Sequence, residues 1–212
     1  MQTENFSRFI RDAAHPCAMA KSALSLGNIQ FGELGALGSD EAAEANCRAL
    51  YRSLEVAPQT GYWSFVAQFP ADRIDSEEAF EARLWTHLQR MHDFDAWSHD
   101  WDSTVSSDPA DAKFSFSIGG RAWYVIGLHP QASRVARRLD QVALVFNPHG
   151  QFDDLRVRGK YTTVRDQIRN RDQRLQGSVN PMLADHGQAS EARQYSGRAV
   201  ETDWRCPFQS AH

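Results

Sequence analysis

The spacing of apolar residues along the chain predicts five strands. Alternation of apolar and polar positions, or enrichment in β-branched and aromatic side chains, is typical of strands with at least one buried face. Two of the runs are separated only by Gly119-Gly120, a pair that favours a tight hairpin turn. The five runs are residues 29–34, 62–69, 114–118, 121–128 and 141–147.

Apolar residues spaced three and four positions apart predict helices around these strands. The clearest helix is 41–56, because acidic residues occupy its first turn and Pro58 follows its end. Further helices are predicted at 3–13, 16–26, 76–91 and 151–173. Helices before, between and after the strands predict an α+β fold with a single antiparallel or mixed sheet of about five strands, covered by helices.

Composition limits the classes of function. A chain of 212 residues with 42% hydrophobic residues fits one domain, residues 1–212, and its twelve Phe and six Trp can line a pocket. A net charge of −4 argues against nucleic acid as a partner. No run of roughly 20 apolar residues and no signal peptide is evident, so we expect a cytoplasmic protein without a membrane partner.

Two predicted strands end at a proline next to a histidine. Residues 121–128 are followed by His129-Pro130, and the strand 141–147 ends at Asn147-Pro148-His149. Proline cannot continue a strand ladder, so each histidine is released at an edge of the sheet. If the two edges coincide, the two imidazoles face one cavity and suit one iron ligand and one distal acid or base. Alternatively, each histidine only caps a turn.

Three arginines follow His129 closely. The spacing of residues 130–138 indicates the start of a helix, on which Arg134 and Arg138 would share a face with Arg137 nearby. Such a face can clamp two carboxylates, for example the propionates of a heme. The alternative is a solvated basic face of the helix.

The cysteines add a second candidate iron ligand. His15-Pro16 precedes Cys17, which places this thiol near a helix N-terminus, where the dipole favours thiolate. A thiolate is a known heme ligand, so Cys17 competes with His129, although a small buried thiol is the alternative. Cys206 in the C-terminal tail is compatible with either role, and Cys47 is expected in the core.

Two other groups of residues carry no predicted chemistry. The basic stretch 156–174 is interleaved with aspartates, which favours an exposed helix over a nucleic-acid stripe. The spacing of His87, His92 and His99 is unlike that of a zinc site, and no helix carries the Glu and His pair typical of a di-iron site.

Several motifs, in order along most of the chain, resemble the YqcI/YcgG family, which includes the heme-dependent N-hydroxylase of the guanitoxin pathway. The family more often has Phe-Pro-Cys in the first motif, so no ligand role is carried over to His15. The motifs are HPCAMA (15–20), LHPQASRVARR (128–138), LVFNPHGQF (144–152), LQGSVNPML (175–183), SEARQYSGRAV (190–200) and WRCPF (204–208).

The resemblance implies heme b as cofactor, O2 or peroxide as co-substrate, and oxidation of a guanidine-like or aryl amine nitrogen to hydroxylamine, nitroso or nitro in specialised metabolism. From its place at a strand end directly before the arginines, we expect His129 to be the axial ligand of that heme, with Cys17 and His149 as alternatives. His149, Asn147 and Gln151 then orient the substrate or act on the distal side. We expect the heme propionates to bind Arg134, Arg137 and Arg138.

The partners follow from the same resemblance. A cationic guanidinium needs a carboxylate or an aromatic ring, and the nearest candidates in the sequence are Trp123, Tyr124, Asp153 and Asp154. The chain has no GxGxxG loop and no room for a flavin domain, so electrons come from an external donor unless peroxide is used. A second copy of the chain, in a homodimer, is a further candidate partner. The alternative function is a heme-binding sensor or carrier without oxygenase activity.

Overall fold

Five strands form one open mixed sheet in the computed structural model, which describes residues 2–58, 60–184 and 187–211. The strands are β1 (Ile29–Glu33), β2 (Ser64–Phe69), β3 (Phe116–Ile118), β4 (Arg121–Leu128) and β5 (Val142–Pro148). Their order is β1-β2-β5-β4-β3, with β1 and β2 parallel and the other neighbours antiparallel. The predicted α+β class and the mixed sheet are confirmed.

Seven α-helices surround the sheet in the described part of the chain. They are α1 (Gln2–Arg11), α2 (Ala18–Ser25), α3 (Asp40–Glu55), α4 (Glu77–Asp95), α5 (Gly150–Val157), α6 (Tyr161–Gln176) and α7 (Ala192–Tyr195). The single helix expected over 151–173 is two helices, because Gly159 adopts a positive φ of 64° between them. The helix expected after Pro130 is also wrong, since only a 3-10 turn forms there, at Val135–Arg137.

One face of the sheet packs against α3 and α4. Its core contains large side chains from the strands and both helices, among them Leu50, Phe65, Leu84, Leu88, Trp123 and Phe146. Gly127 is required on β4 because a Cβ there would lie 2.4 Å from the ring of Phe80 on α4. This face is therefore filled by the chain's own side chains.

The other face of the sheet is covered by α1 and α2 along part of its width. Phe6 and Ile10 of α1 pack against Val66, Leu128 and Val145, which point away from α3 and α4 because strand side chains alternate. Further along, α5 and α6 stand over this face and enclose a cavity. None of the described helices has the length and apolar character to span a membrane.

Candidate functional site

A cavity of about 290 Å³ lies over the second face of the sheet, at the lower end of the size range of cofactor and ligand sites. Tyr124, Ile126 and Leu128 of β4 form its floor, because alternate residues of a strand point to the same side. Its walls are mainly apolar and include Phe6, Ile10, Met19, Phe152, Leu155 and Ile168. The cavity can therefore hold a flat apolar group against its walls.

Cys17 lines this cavity at the N-terminus of α2. Its sulfur accepts a hydrogen bond from the backbone N–H of Ala20 at 3.4 Å and so caps the helix, as its place after a proline predicted. Burial raises the pKa of the thiol, while the backbone N–H of Ala20 and the charge of Arg137 oppose that rise. His15 also lines the cavity, and burial lowers its pKa to about 4. A soft sulfur ligand thus faces the cavity.

Arg137 presents a buried guanidinium to the same cavity. It donates to the backbone carbonyls of Gly127 at 3.1 Å, Gln194 at 3.1 Å and Tyr195 at 3.3 Å. No carboxylate of the described residues lies within ion-pair distance of it. Its backbone partners fix its position but leave its charge uncompensated, so it can accept an anion from the cavity.

The other two predicted arginines differ from Arg137. Arg134 lines the cavity but already pairs with Asp172 at 2.5 Å and donates to the carbonyl of Ser178 at 2.7 Å. Arg138 is exposed, outside the cavity, and donates to backbone carbonyls of its own loop. The predicted common face of Arg134 and Arg138 is wrong, because a 3-10 turn replaces the helix that would have aligned them.

Cations of the basic stretch 156–174 also reach the cavity. Arg156, Arg165 and Arg169 line it and are half-buried. Arg156 is paired with Asp153, and Arg165 with Asp166. The sequence placed this stretch on a solvated helix, and the break at Gly159 turns part of it toward the cavity instead.

His149 lies directly before α5, is buried, and is linked to the cavity through another residue. Its Nε2 donates to Oε1 of Glu191 at 3.1 Å, and Nδ1 lies 3.5 Å from Oδ2 of Asp153. Burial lowers the pKa of His149, but the hydrogen bond to Glu191 and its charge outweigh this, so the pKa is raised. His149 can therefore hold a proton beside the cavity.

Glu191 is the site residue that the sequence did not indicate. It lines the cavity, with its side chain 13% exposed, and Oε2 lies 3.4 Å from the hydroxyl of Tyr195. No lysine or arginine of the described residues pairs with it. Glu191 lies just before a short helix, where acidic residues are common, so its position in the sequence does not distinguish it. Only its inclusion in the motif SEARQYSGRAV marked it.

Asn147 and Gln151, predicted beside His149, both line the cavity. The side chain of Asn147 accepts from Ser64 Oγ at 2.7 Å and donates to the carbonyl of Tyr124 at 3.2 Å. Gln151 accepts from the backbone N–H of Trp63 at 3.3 Å. These two amides are fixed at the same end of the cavity as Glu191, where they can orient a polar ligand.

The edges at which His129 and His149 lie do not coincide. Strands β4 and β5 are antiparallel, with Trp123 opposite Pro148 and Leu128 opposite Ala143. These five register steps correspond to roughly 16 Å along the strands. One cavity therefore does not receive both imidazoles.

His129 is packed on the α4 side of the sheet. Its ring stacks on Phe80 with centroids 4.1 Å apart, is 0% exposed, and does not line the cavity. Neither ring nitrogen has a hydrogen-bond partner among the described residues, and burial lowers its pKa to about 4. The ligand role of His129 stays a prediction, but the sulfur of Cys17 has the more direct access to the cavity.

Of the four residues predicted to bind a cationic substrate, one lines the cavity and three do not. Tyr124 lines the cavity, and its hydroxyl donates to Gln194 at 2.7 Å. Trp123 is buried on the opposite face of the sheet. Asp153 and Asp154 pair with arginines of their own helix and lie outside the cavity. Only the aromatic ring of Tyr124 is therefore placed to contact a ligand.

A family model, that of the YqcI/YcgG family, matches residues 6–209. Searches of curated proteins and of solved structures find no match to the chain. Within the described ranges, no three His, Cys, Asp or Glu side chains are grouped so that they could hold a metal ion.

Proposed function

The chain belongs to the YqcI/YcgG family, and from this premise we propose that it is a heme-dependent N-oxygenase of a guanidine-like or aryl amine. The proposed product is a hydroxylamine, nitroso or nitro compound. This product class is what the resemblance to the guanitoxin-pathway N-hydroxylase implies. The observation that carries the proposal is the composition of the cavity. Apolar walls, a thiol, an uncompensated guanidinium and a carboxylate surround one space.

The donor set of the cavity fits heme. A flat apolar macrocycle suits the floor of β4 and the aromatic and aliphatic walls. Cys17 would supply a sulfur ligand for the iron, and because metal binding displaces the thiol proton, the raised pKa of the thiol does not exclude this role. We therefore assign the ligand to Cys17 in preference to His129 and His149, neither of which lines the cavity.

The cations of the cavity suit the propionates of the cofactor. Arg137 has an uncompensated charge and is held by three backbone carbonyls, so it is ready to pair with a carboxylate. Arg134 is largely satisfied by Asp172 and Ser178, which makes it the weaker partner. Arg138 faces solvent and takes no part.

Bound heme supplies the iron that activates dioxygen or peroxide. With dioxygen, each transfer sends one oxygen atom to the amine nitrogen and releases the other as water, which consumes two protons and two electrons from an external donor. One transfer gives the hydroxylamine, a second the nitroso compound and a third the nitro compound. With hydrogen peroxide, one oxygen atom is transferred, water leaves, and no external electrons are needed. The chain's own contribution is binding, orientation and proton movement.

The polar end of the cavity provides these contributions. The carboxylate of Glu191 can accept a proton from the amine, or it can relay the proton that Nε2 of His149 donates to it from 3.1 Å away. The side-chain amides of Asn147 and Gln151 orient the substrate nitrogen. The apolar walls would pack against a bound ligand and so reduce the access of water to it. We place this reaction in the cytoplasm, in a single catalytic domain with a small-molecule amine as substrate.

Two measurements test the proposed function. The purified protein should show a Soret band, and it should consume oxygen in the presence of an amine. Incubation with guanidines and arylamines under labelled dioxygen should place the label on nitrogen, as read by product mass. A coloured protein that turns over no amine would instead be a heme sensor or carrier, and a colourless protein that takes up no added heme would reject both.

A further inference from the structure

Arg137 and Glu191 both line the cavity and have different partners. Arg137 donates to the backbone carbonyls of Gly127, Gln194 and Tyr195, whereas Glu191 pairs with the imidazole of His149. The described residues contain no ion pair between Arg137 and Glu191, so each can contact a different group in the cavity.

The carboxylate of Glu191 retains the capacity to accept hydrogen bonds. Its Oε1 accepts from His149, and each carboxylate oxygen has more than one lone pair. Its Oε2 competes for the single hydroxyl proton of Tyr195 with the carbonyl of Trp123, which lies at a similar distance. The carboxylate is thus held by the imidazole of His149, whose pKa it raises, and it keeps acceptor capacity toward the cavity.

The surroundings of Glu191 suit a planar cation. The rings of Tyr124 and Phe152 both line the cavity, with centroids 5.8 Å apart, and Phe152 also contacts the ring of His149. Aromatic faces attract delocalised cations, and a carboxylate matches the parallel N–H groups of an amidine or guanidine. The amides of Asn147 and Gln151 complete the polar end.

We propose that Glu191 is the residue that binds the cationic amidine or guanidine group of the substrate, and that it selects this cation over neutral analogues. The inference rests on the proposed function, because it assigns the substrate end of the same cavity. In this arrangement Arg137 would hold the carboxylates of the cofactor, and Glu191 would hold the cation of the substrate.

The test compares two probes of almost the same shape. Benzamidine carries the planar cation, and benzamide is its neutral analogue. Calorimetric titration of the purified wild-type protein, without oxygen or reductant, should show benzamidine binding tighter by about 10- to 100-fold, as a hydrogen bond to a charged group implies. Equal affinity for both probes would overturn the proposal without use of any variant.

Two variants test whether Glu191 causes the preference for benzamidine over benzamide. Glu191→Gln keeps the size of the side chain and removes its charge, so it should bind both probes equally. Asp154→Asn is the matched control, because Asp154 is an exposed carboxylate that pairs with Arg158 outside the cavity. It should keep the wild-type preference. A preserved preference in Glu191→Gln would reject the assignment, and circular dichroism would check that both variants are folded.

The N-oxygenase function and the role of Glu191 can be rejected independently of each other. Probe binding requires no turnover, so a protein that lacks heme and still selects benzamidine through Glu191 would reject only the N-oxygenase function. A protein that oxygenates amines and shows the same probe preference with Glu191→Gln would reject only the inference made here.

Discussion

Nε2 of His149 lies 3.1 Å from Oε1 of Glu191, although the two residues are 42 positions apart in the sequence. This pair joins a buried imidazole to the carboxylate that faces the cavity. A proton on His149 is stabilised by Glu191, and the carboxylate is in turn held toward the cavity. The polar end of the site is thus a coupled acid and base, and it yields the first prediction.

Replacement of His149 by Ala should leave heme bound and slow the reaction. Loss of a general acid or base lowers turnover by about 10²- to 10⁴-fold. Because the pKa of His149 is raised above its ordinary 6.5, the wild-type pH profile should contain an ionisation above pH 6.5 that is absent from the variant. Heme absorbance and initial rates across pH measure this, with His99→Ala as a control outside the cavity. An unchanged profile would remove His149 from the reaction.

Replacement of Cys17 by Ala should abolish tight heme binding, because this sulfur is the ligand that lines the cavity. Heme content per protein and the position of the Soret band measure the effect. Cys206→Ala is the matched control, since this thiol is also half-buried but lies outside the cavity. Normal heme content and an unchanged spectrum in Cys17→Ala would contradict the assignment.

Replacement of Arg137 by Met should weaken heme binding by about 1–3 kcal/mol, the range for a hydrogen bond to a charged group. Arg138→Met should have no effect, because Arg138 faces solvent. The rate of heme transfer to an acceptor protein measures the loss. Arg137 also supports three backbone carbonyls, so thermal unfolding of the variant must be followed in parallel. Equal rates for both variants would leave Arg137 a structural residue only.

Replacement of His129 by Leu should make the protein less sensitive to acid. Burial lowers the pKa of His129 to about 4, so between pH 6.5 and 4 the unfolded state binds more protons and stability falls as the pH falls. From pH 7 to pH 5, His129 accounts for about 2 kcal/mol of that fall. Urea unfolding of the variant at both pH values should show a loss smaller by this amount.

The same variant tests the ligand role of His129. His129→Leu should bind heme as the wild type does, because the imidazole packs on Phe80 outside the cavity. His15 and His87 are also buried with lowered pKa values, so part of the acid sensitivity should persist. Loss of heme from His129→Leu, with heme retained in Cys17→Ala, would return the ligand role to the imidazole.

The elements of the fold could be predicted from the sequence because their signals are local. The Gly119-Gly120 pair and the alternation around it gave the β3–β4 hairpin, and Ser76 before an acidic turn gave the start of α4. The direction in which β4 pairs with β5 is not encoded in either strand's own pattern. The two histidines at the strand ends were therefore compatible with one shared cavity until the antiparallel pairing separated them.

The site was predictable only in part, for a similar reason. Cys17 and Arg137 have local signals, a helix N-terminus and a cluster of arginines. Glu191 has none, because its role depends on contacts with His149 and Tyr195 and on facing a cavity formed by distant segments. For Arg134 and Arg138 the local signal was misleading. Their spacing indicated one face of a helix, but a 3-10 turn forms there instead.

The two faces of the sheet have different roles, one in folding and one in ligand binding. The face toward α3 and α4 is filled by the chain's own side chains, whereas the face toward α5 and α6 is open enough to hold a ligand. Exchanges at cavity residues such as Phe152 and Ile168, which lie outside the packed core, therefore leave the packed face untouched. A library confined to the cavity face could alter substrate range at little cost to foldability, which makes this chain a suitable starting point for directed evolution of new specificities.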